Sequence, residues 1–334
     1  MKTGDIYDCV IVGGGPAGLG AGLYTARDGM KTLIVDKYVC GGQIINTDRI
    51  ENYPGIEQID GVGLIMNMRK QVENFNAEIK ESMEVTGLKK LDDGDIEVIC
   101  GDDVFRGKSV ILSPGSSYRN LNVPGETEFR NAGAGVSYCG TCDAPFFKGK
   151  EVVCVGGGNT AVEETLHLCK FASKVTLVHR RDEFRATKIL ADELKVKAEE
   201  KDTNLVLKYD TVVEAIEGEG KVQRVMMRNV KNDEGAYEYP CDGVFIFIGT
   251  VPNTGFLDGF VDLTEHGYIM ADCGYLRTKV PGVFAAGDCR IGAAMQLATA
   301  VSDGVTAAIM TKQHLRDPEW WTSAVHEEKG PGGW

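Results

Sequence analysis

The chain is 334 residues long, enough for roughly two domains at ~150 residues each. Its 36 Lys+Arg against 49 Asp+Glu leave a net charge of −13, which argues against nucleic-acid and anionic-membrane binding, because both need clustered cations. Hydrophobic residues at 43% and charged residues at 25% are the mixture of a globular protein that buries a large core without disulfide staples.

Glycine stands out, at 42 of 334 residues, nearly double the usual ~7%. No collagen period or low-complexity run absorbs it, so glycines are expected at tight turns and close backbone approaches. No apolar run approaches the ~18 residues of a membrane helix. The apolar stretch after Lys2 is broken by Asp5 and Asp8 and does not read as an export signal. The ten cysteines (9, 40, 100, 139, 142, 154, 169, 241, 273 and 289) are scattered rather than arranged as a secreted disulfide framework. Most read as small buried hydrophobes in a reducing cytoplasm.

In chain order, residues 7–12 (YDCVIV) read as a buried parallel strand. Gly13-Gly14-Gly15-Pro16-Ala17-Gly18 then fits G-x-G-x-x-G, a helix runs to about Gly29, and a second strand, Leu33–Val35, ends at Asp36. Asp36 lies 36 − 18 = 18 residues after the last glycine, close to the ~20 expected for the acid that binds a ribose.

Cys139-Gly140-Thr141-Cys142 is C-x-x-C, followed by Asp143. A zinc site would need two more ligands at matching spacing, and no second C-x-x-C or H-x-x-H exists. A redox disulfide is favoured over zinc and over two chance cysteines, because a neighbouring cysteine can resolve a mixed disulfide. Asp143 reads as the acid/base that protonates a departing thiolate, or as a helix N-cap.

The first unit returns at 151–181, aligned without a gap at an offset of 156 − 13 = 143. Strand Val152–Val155 leads into Gly156-Gly157-Gly158-Asn159-Thr160-Ala161, then a helix, then strand Val175–Val178. Two such units, each framed by strand, helix and strand, point to two dinucleotide sites whose phosphates sit at helix N-termini. The strand ends differ in sign. Asp36 corresponds to His179 (36 + 143), which opens His179-Arg180-Arg181 with Arg185 one helical turn on. An acid suits a free ribose diol and cations suit a 2′-phosphate, so the first unit is expected to hold FAD and the second NADPH.

These residues resemble the bacterial-type low-molecular-weight thioredoxin reductases. The resemblance covers about residues 6–312. It rests on the two glycine motifs, Gly41-Gly42-Gln43, Glu51–Gly55 (ENYPG), CGTCDAPFF at 139–147, GGGNTAVEE at 156–164, HRRDEFRA at 179–186 and Ala285-Ala286-Gly287-Asp288. It implies an α/β fold of two Rossmann-like three-layer nucleotide-binding domains. The NADPH domain (119–249), which carries the redox pair, is inserted into a split FAD domain (1–118 and 250–334). It implies a homodimer that takes thioredoxin or a thioredoxin-like disulfide protein as partner, while the missing export signal and membrane segment suggest the cytoplasm and, with the charge and cysteine spacing, no nucleic acid, membrane or metal. FAD would be held by Gly13, Gly15, Pro16, Ala17, Gly18, Asp36, Lys37, Gly42, Gln43, Asn52, main chain near Val85, Gly115, Gly287, Asp288, Gln296 and Leu297. NADPH would be held by Gly156, Gly158, Asn159, Thr160, Ala161, Glu163, His179, Arg180, Arg181 and Arg185. Cys142 would face the flavin, Cys139 would attack the partner's disulfide, and Asp143 would donate the proton. Hinges are expected near Pro114–Gly125 and Gly249–Pro252.

Phe146 and Phe147 read either as a thioredoxin-docking pair or as core, and Arg130 either pairs with an acidic partner face or is solvated. The sequence departs from the family at Met295, where Arg is usual before Gln296, and at Ser113-Pro114-Gly115 in place of Ala-Thr-Gly. It also departs in the extension 317–334, whose Trp320 and Trp321 are expected to dock while its Gly/Pro end is disordered. The alternative function is a same-family reductase or dithiol oxidase using another electron partner, ferredoxin or O2.

Overall fold

The computed structural model describes residues 6–47, 49–232 and 234–322. The chain divides into two compact units, Met1–Ser117 with Val251–Trp334, and Tyr118–Thr250.

The first unit opens with Ile6–Val12 (β1), buried over its last four residues. The glycine turn delivers the chain into Pro16–Arg27 (α1), with Pro16 at the start of the helix, where a missing N–H costs nothing. Thr32–Val35 (β2) is buried throughout and runs parallel to β1, with Val12 opposite Val35. Gly61–Glu73 (α2) starts at Asp60, whose carboxylate accepts a hydrogen bond from the Gly63 N–H at 2.8 Å. Glu78–Lys80 (β3), Gly87–Lys90 (β4), Ile96–Cys100 (β5) and Asp103–Leu112 (β6) follow. The sheet order is β3-β2-β1-β6-β5-β4. The long β6 serves twice: its first half pairs antiparallel with β5, and its second half pairs parallel with β1, Leu112 opposite Val12. Ser116–Tyr118 (β7) then leaves the sheet.

The second unit begins with Glu126–Asn131 (α3), Val136–Ser137 (β8) and the single turn Gly140–Asp143 (α4). The repeated motif follows as Glu151–Gly156 (β9), Asn159–Leu168 (α5) and Lys174–Val178 (β10). Lys188–Glu199 (α6) and Leu205–Lys208 (β11) complete that run. Thr211–Glu217 (β12), Arg224–Asn229 (β13) and Ala236–Pro240 (β14) form a separate antiparallel meander. Gly243–Phe247 (β15) returns to a parallel sheet ordered β11-β10-β9-β15-β8. The expected α/β architecture with two Rossmann-like units is therefore present, and each carries an antiparallel meander that the sequence reading did not foresee.

The chain leaves the second unit through Thr250–Pro252 (β16), which pairs with β7. Val283–Ala285 (β17) adds to the free side of β6, and Leu297–Arg316 (α7) packs along α1. That crossing is tight. A Cβ on Gly304 would overlap the Ala17 carbonyl oxygen, and one on Gly20 would stand 3.1 Å from the Val301 oxygen. After α7, Trp321 meets Phe284 and His314 edge-on at 5.0 and 5.1 Å, and Arg277 donates to the Trp320 and Trp321 carbonyls. The Gly/Pro end of the extension, 323–334, lies outside the described residues. Among the described residues no helix is long and apolar enough to cross a membrane.

The α1–α7 crossing makes one stability prediction. Gly304→Ala forces a methyl into backbone and should cost about 1–3 kcal/mol, whereas Gly20→Ala should cost less. Urea unfolding of the two variants beside the parent measures both.

Candidate functional site

The first cradle is built from backbone. Gly13 has φ +103°, and a Cβ on it would overlap the Ser113 carbonyl oxygen. A Cβ on Gly18 would overlap the Gly13 oxygen, so α1 begins directly against the end of β1. A Cβ on Gly15 would meet only the Gly42 Cα, at 3.9 Å. Ahead of the α1 N-terminus there is thus open space bounded by Gly42 and free of capping side chains, which suits an anionic group.

Asp36 closes this turn. Its carboxylate accepts from the Gly14 N–H at 2.6 Å and the Tyr38 N–H at 2.8 Å. Burial, the largest influence, nevertheless raises its pKa. Gly287 sits on the same cradle, 3.0 Å from Ala17 by its would-be Cβ, and its N–H is held by Asp303, which also grips Arg290 with both oxygens. Beside it, Asp288 is half-buried, and among the described residues no group hydrogen-bonds its carboxylate. Desolvation, then the negative charge of Asp303, push its pKa up to about 6 against the relief offered by Arg290. A ligand rich in hydroxyl groups would supply the donors such a carboxylate lacks.

Several other expected FAD residues have local duties. Gln43 donates to the Ser116 carbonyl at 3.3 Å. Lys37 turns to Glu84 at 2.8 Å. The Gln296 N–H is taken by the Thr299 hydroxyl in a capping box at the head of α7, next to Met295 at φ +52°. Val85 is a core residue, and the neighbouring Met83 N–H donates to the Asp36 carbonyl. Asn52 is exposed. Gly115, at φ +67°, has open space where a side chain would stand.

The second cradle repeats the first with its charge reversed. A Cβ on Gly158 would meet nothing, and no side chain caps α5 there. Gly156 is closed against the Phe247 carbonyl, and Ala161 is fully buried, so both shape the turn. Asn159 accepts from the Thr187 N–H at 2.8 Å, while Thr160 and Glu163 are exposed. Arg180, Arg181 and Arg185 are exposed, and among the described residues no carboxylate pairs with their guanidinium groups. The Arg185 N–H donates to the Gly157 carbonyl at 2.7 Å, which fixes that loop beside the glycine turn.

His179, expected to contact the nucleotide, has partners within its own loop. Its ring is buried against Gly157, Nε2 bonds the Glu183 carbonyl at 3.0 Å, and Phe184 stacks on it at 5.3 Å. Desolvation, the largest influence, lowers its pKa, and the ring packs beneath the arginine loop.

Cys139 and Cys142 are joined as a disulfide across the one-turn α4, with Cα atoms 5.3 Å apart. The Cys142 N–H donates to Cys139 Sγ at 3.1 Å. Asp143 is half-buried, and desolvation raises its pKa, opposed by a 2.6 Å bond from the Ser137 hydroxyl. A carboxyl held in this way keeps a proton at higher pH than a solvated one.

Two residues missed by the sequence reading complete the turn. Ser137 receives the Cys139 N–H at 3.1 Å as well as bonding Asp143. Glu164 on α5 accepts the Thr141 N–H at 2.6 Å and the Thr141 hydroxyl at 2.8 Å. Only the acidic pair after the second glycine motif hinted at Glu164, and nothing in its spacing pointed to the cysteines. Phe147 is core, edge-on to Phe245 at 4.9 Å, and Phe146 packs partly against the same cluster. Arg130 lies over the Tyr138 and Tyr118 rings, at 4.3 and 5.4 Å.

Two glycine-turn α/β units, with a cysteine pair in one of them, define a nucleotide-dependent disulfide oxidoreductase. The family model for pyridine nucleotide-disulphide oxidoreductases matches residues 7–304. The chain is 43% identical over 304 residues to the thioredoxin reductase of Treponema pallidum, covering 90% of this chain and 95% of that one. It is 40% identical over 319 residues to that of Peptoclostridium acidaminophilum, covering 93% and 98%. The crystal structure of thioredoxin reductase from Streptococcus pyogenes superposes with a TM-score of 0.86 at 39% identity, covering 93% of this chain and 98% of that one. The chain belongs to the pyridine nucleotide-disulphide oxidoreductase family, within its thioredoxin reductases. Members of this family use FAD and NADPH, and both cradles fit these groups, through the open glycine turns, the unpartnered Asp288 and the free arginines.

The pKa of Asp288 yields a pH prediction for FAD-free protein. Its folded value of about 6 exceeds the ordinary 3.8, so the folded state binds more protons between these values and stability falls as pH rises through this window. Asp288→Asn should remove that slope and stabilise FAD-free protein at pH 7 by about 2–3 kcal/mol, at 1.36 kcal/mol per pKa unit. Urea unfolding at pH 4, 5, 6 and 7 tests this; identical slopes in variant and parent would refute it.

Proposed function

We propose that this chain is an NADPH:thioredoxin-disulfide oxidoreductase working through Cys139 and Cys142. The observation that carries this reading is the disulfide beside Asp143, whose pKa is raised by desolvation, in the same unit as a glycine turn edged by arginines with which no carboxylate among the described residues pairs. FAD in the first cradle would supply the two-electron chemistry that links NADPH to the disulfide.

The chain's own residues do the rest. The first cradle, with Asp36, Gly287 and Asp288, would hold the flavin nucleotide. The α5 N-terminus would receive the pyrophosphate of NADPH, and Arg180, Arg181 and Arg185 would take its 2′-phosphate. With the pair reduced, the Cys139 thiolate, aided by the Cys142 N–H, attacks one sulfur of the partner's disulfide. The partner's other sulfur leaves as a thiolate and takes a proton from Asp143. Cys142 then attacks Cys139 Sγ, releasing the partner's second thiolate and restoring the disulfide. The partner gains two electrons and the pair loses two. Thioredoxin as the partner, a homodimeric assembly and a cytoplasmic place rest on the resemblance to the named reductases. A ferredoxin- or O2-linked alternative gains nothing from the arginines, which a donor other than NADPH would not need.

Anaerobic addition of NADPH should bleach the flavin absorbance much faster than NADH does, and thioredoxin should then restore it. Replacing Arg180 and Arg181 with Ala should raise KM for NADPH at least ~10-fold and leave NADH turnover unchanged, as expected when charge-assisted bonds to a phosphate are lost. Cys139→Ser should abolish thioredoxin reduction while flavin reduction by NADPH persists. An unchanged KM for NADPH would overturn the second cradle's assignment.

A further inference from the structure

Glu164 takes no part in the steps above, yet it is bound directly to the redox turn. It lies on α5, 23 residues beyond Thr141, and both of its carboxylate oxygens are used there: Oε2 by the Thr141 N–H at 2.6 Å and Oε1 by the Thr141 hydroxyl at 2.8 Å. Thr141 is one of the two residues between the cysteines, and the other, Gly140, packs under the same carboxylate. A Cβ on Gly140 would overlap Glu164 Oε2 and stand 3.2 Å from the Phe247 ring. The four-residue α4 is far too short to hold its shape unaided, since a single turn fixes several dihedrals for one backbone bond. The Cys139 end is pinned by Ser137, whose hydroxyl receives the Cys139 N–H, and the middle of the turn is pinned by Glu164.

We propose that Glu164 is a positioning residue for the disulfide chemistry, clamping Gly140-Thr141 so that the two sulfurs of the reduced pair stay within reach of one another. The reasoning is one of effective concentration. Closing a disulfide between two held cysteines needs little further loss of freedom, whereas a loosened turn must pay that entropy at each closure. The step concerned is exchange with a glutathione disulfide. Cys139 attacks one sulfur and expels one glutathione thiolate. Cys142 then attacks Cys139 Sγ and expels the second, so the pair loses two electrons and glutathione disulfide gains two. The clamp acts on the second attack, which is also the attack that frees thioredoxin. To that extent the inference rests on the proposed function, but the exchange itself does not depend on it.

The test uses the full-length holoprotein. The oxidation equilibrium of Cys139–Cys142 is measured in glutathione buffers of set ratio, by trapping and mass analysis, together with the lifetime of the mixed disulfide. Glu164→Ala should lower the equilibrium constant for disulfide formation about 10-fold, equivalent to about 30 mV for a two-electron couple, and lengthen the mixed-disulfide lifetime. Thr141→Val, which keeps the N–H and loses the hydroxyl, should give a smaller change in the same direction. Thr141→Ser, which keeps both donors, should match the parent. Folding is controlled by the flavin spectrum and the thermal midpoint. If Glu164→Ala does not fold, the graded pair Thr141→Val and Thr141→Ser still decides the matter. An equilibrium and lifetime unchanged in Glu164→Ala, or in Thr141→Val, would overturn the clamp while leaving the reductase reading intact. Failure of the parent to reduce thioredoxin would overturn that reading and leave the clamp standing.

Discussion

The first unit depends on one constraint, the absence of side chains where β1, α1 and α7 meet. Gly18 lets α1 start against the Gly13 carbonyl, Gly13 lets that turn lie on Ser113, and Gly304 lets α7 approach the Ala17 carbonyl. Each is a backbone-to-backbone contact, so a single methyl has nowhere to relax to. The consequence is functional: the N-terminal N–H groups of α1 are left at an open edge, with only Gly42 across the gap. Their partial positive charge is then available to an anionic ligand.

The same geometry used twice gives two different sites because the residues at the strand ends differ. Asp36 is spent on the Gly14 and Tyr38 amides and brings negative charge to the first turn. At the equivalent position His179 is buried, with its pKa lowered by desolvation, beneath the loop that presents Arg180, Arg181 and Arg185 to solvent. The redox turn completes the pattern. Two of its acidic neighbours are handled in opposite ways, Asp143 by burial that favours its protonated form and Glu164 by two donors from Thr141.

The periodic, local features were legible in the sequence. The 143-residue offset between two glycine motifs gave the two α/β units, because a strand, a tight turn and a helix leave their signature within about 30 contiguous residues. The two meanders were not legible. Segments such as β12 to β14 have partly exposed faces and pair only with one another, so their pattern does not distinguish them from loop. The burial of His179 was not legible either, because it follows from Gly157, which leaves room for the ring.

What the chain determined by itself is the chemistry available: a C-x-x-C pair, an acid after it, two glycine turns at helix starts and cations at the second. These depend on residue type and short spacing. Tertiary structure decided which of those groups are spent and which are free. Gln296 and Asn159 went to caps and loops, and Lys37 to an ion pair, whereas Asp288 and the arginines kept open valences. It also decided that Glu164, 23 residues from Thr141, would hold the redox turn. Hydrogen bonds act over about 3 Å, and only packing of α5 beneath α4 brings groups so far apart in sequence within that range.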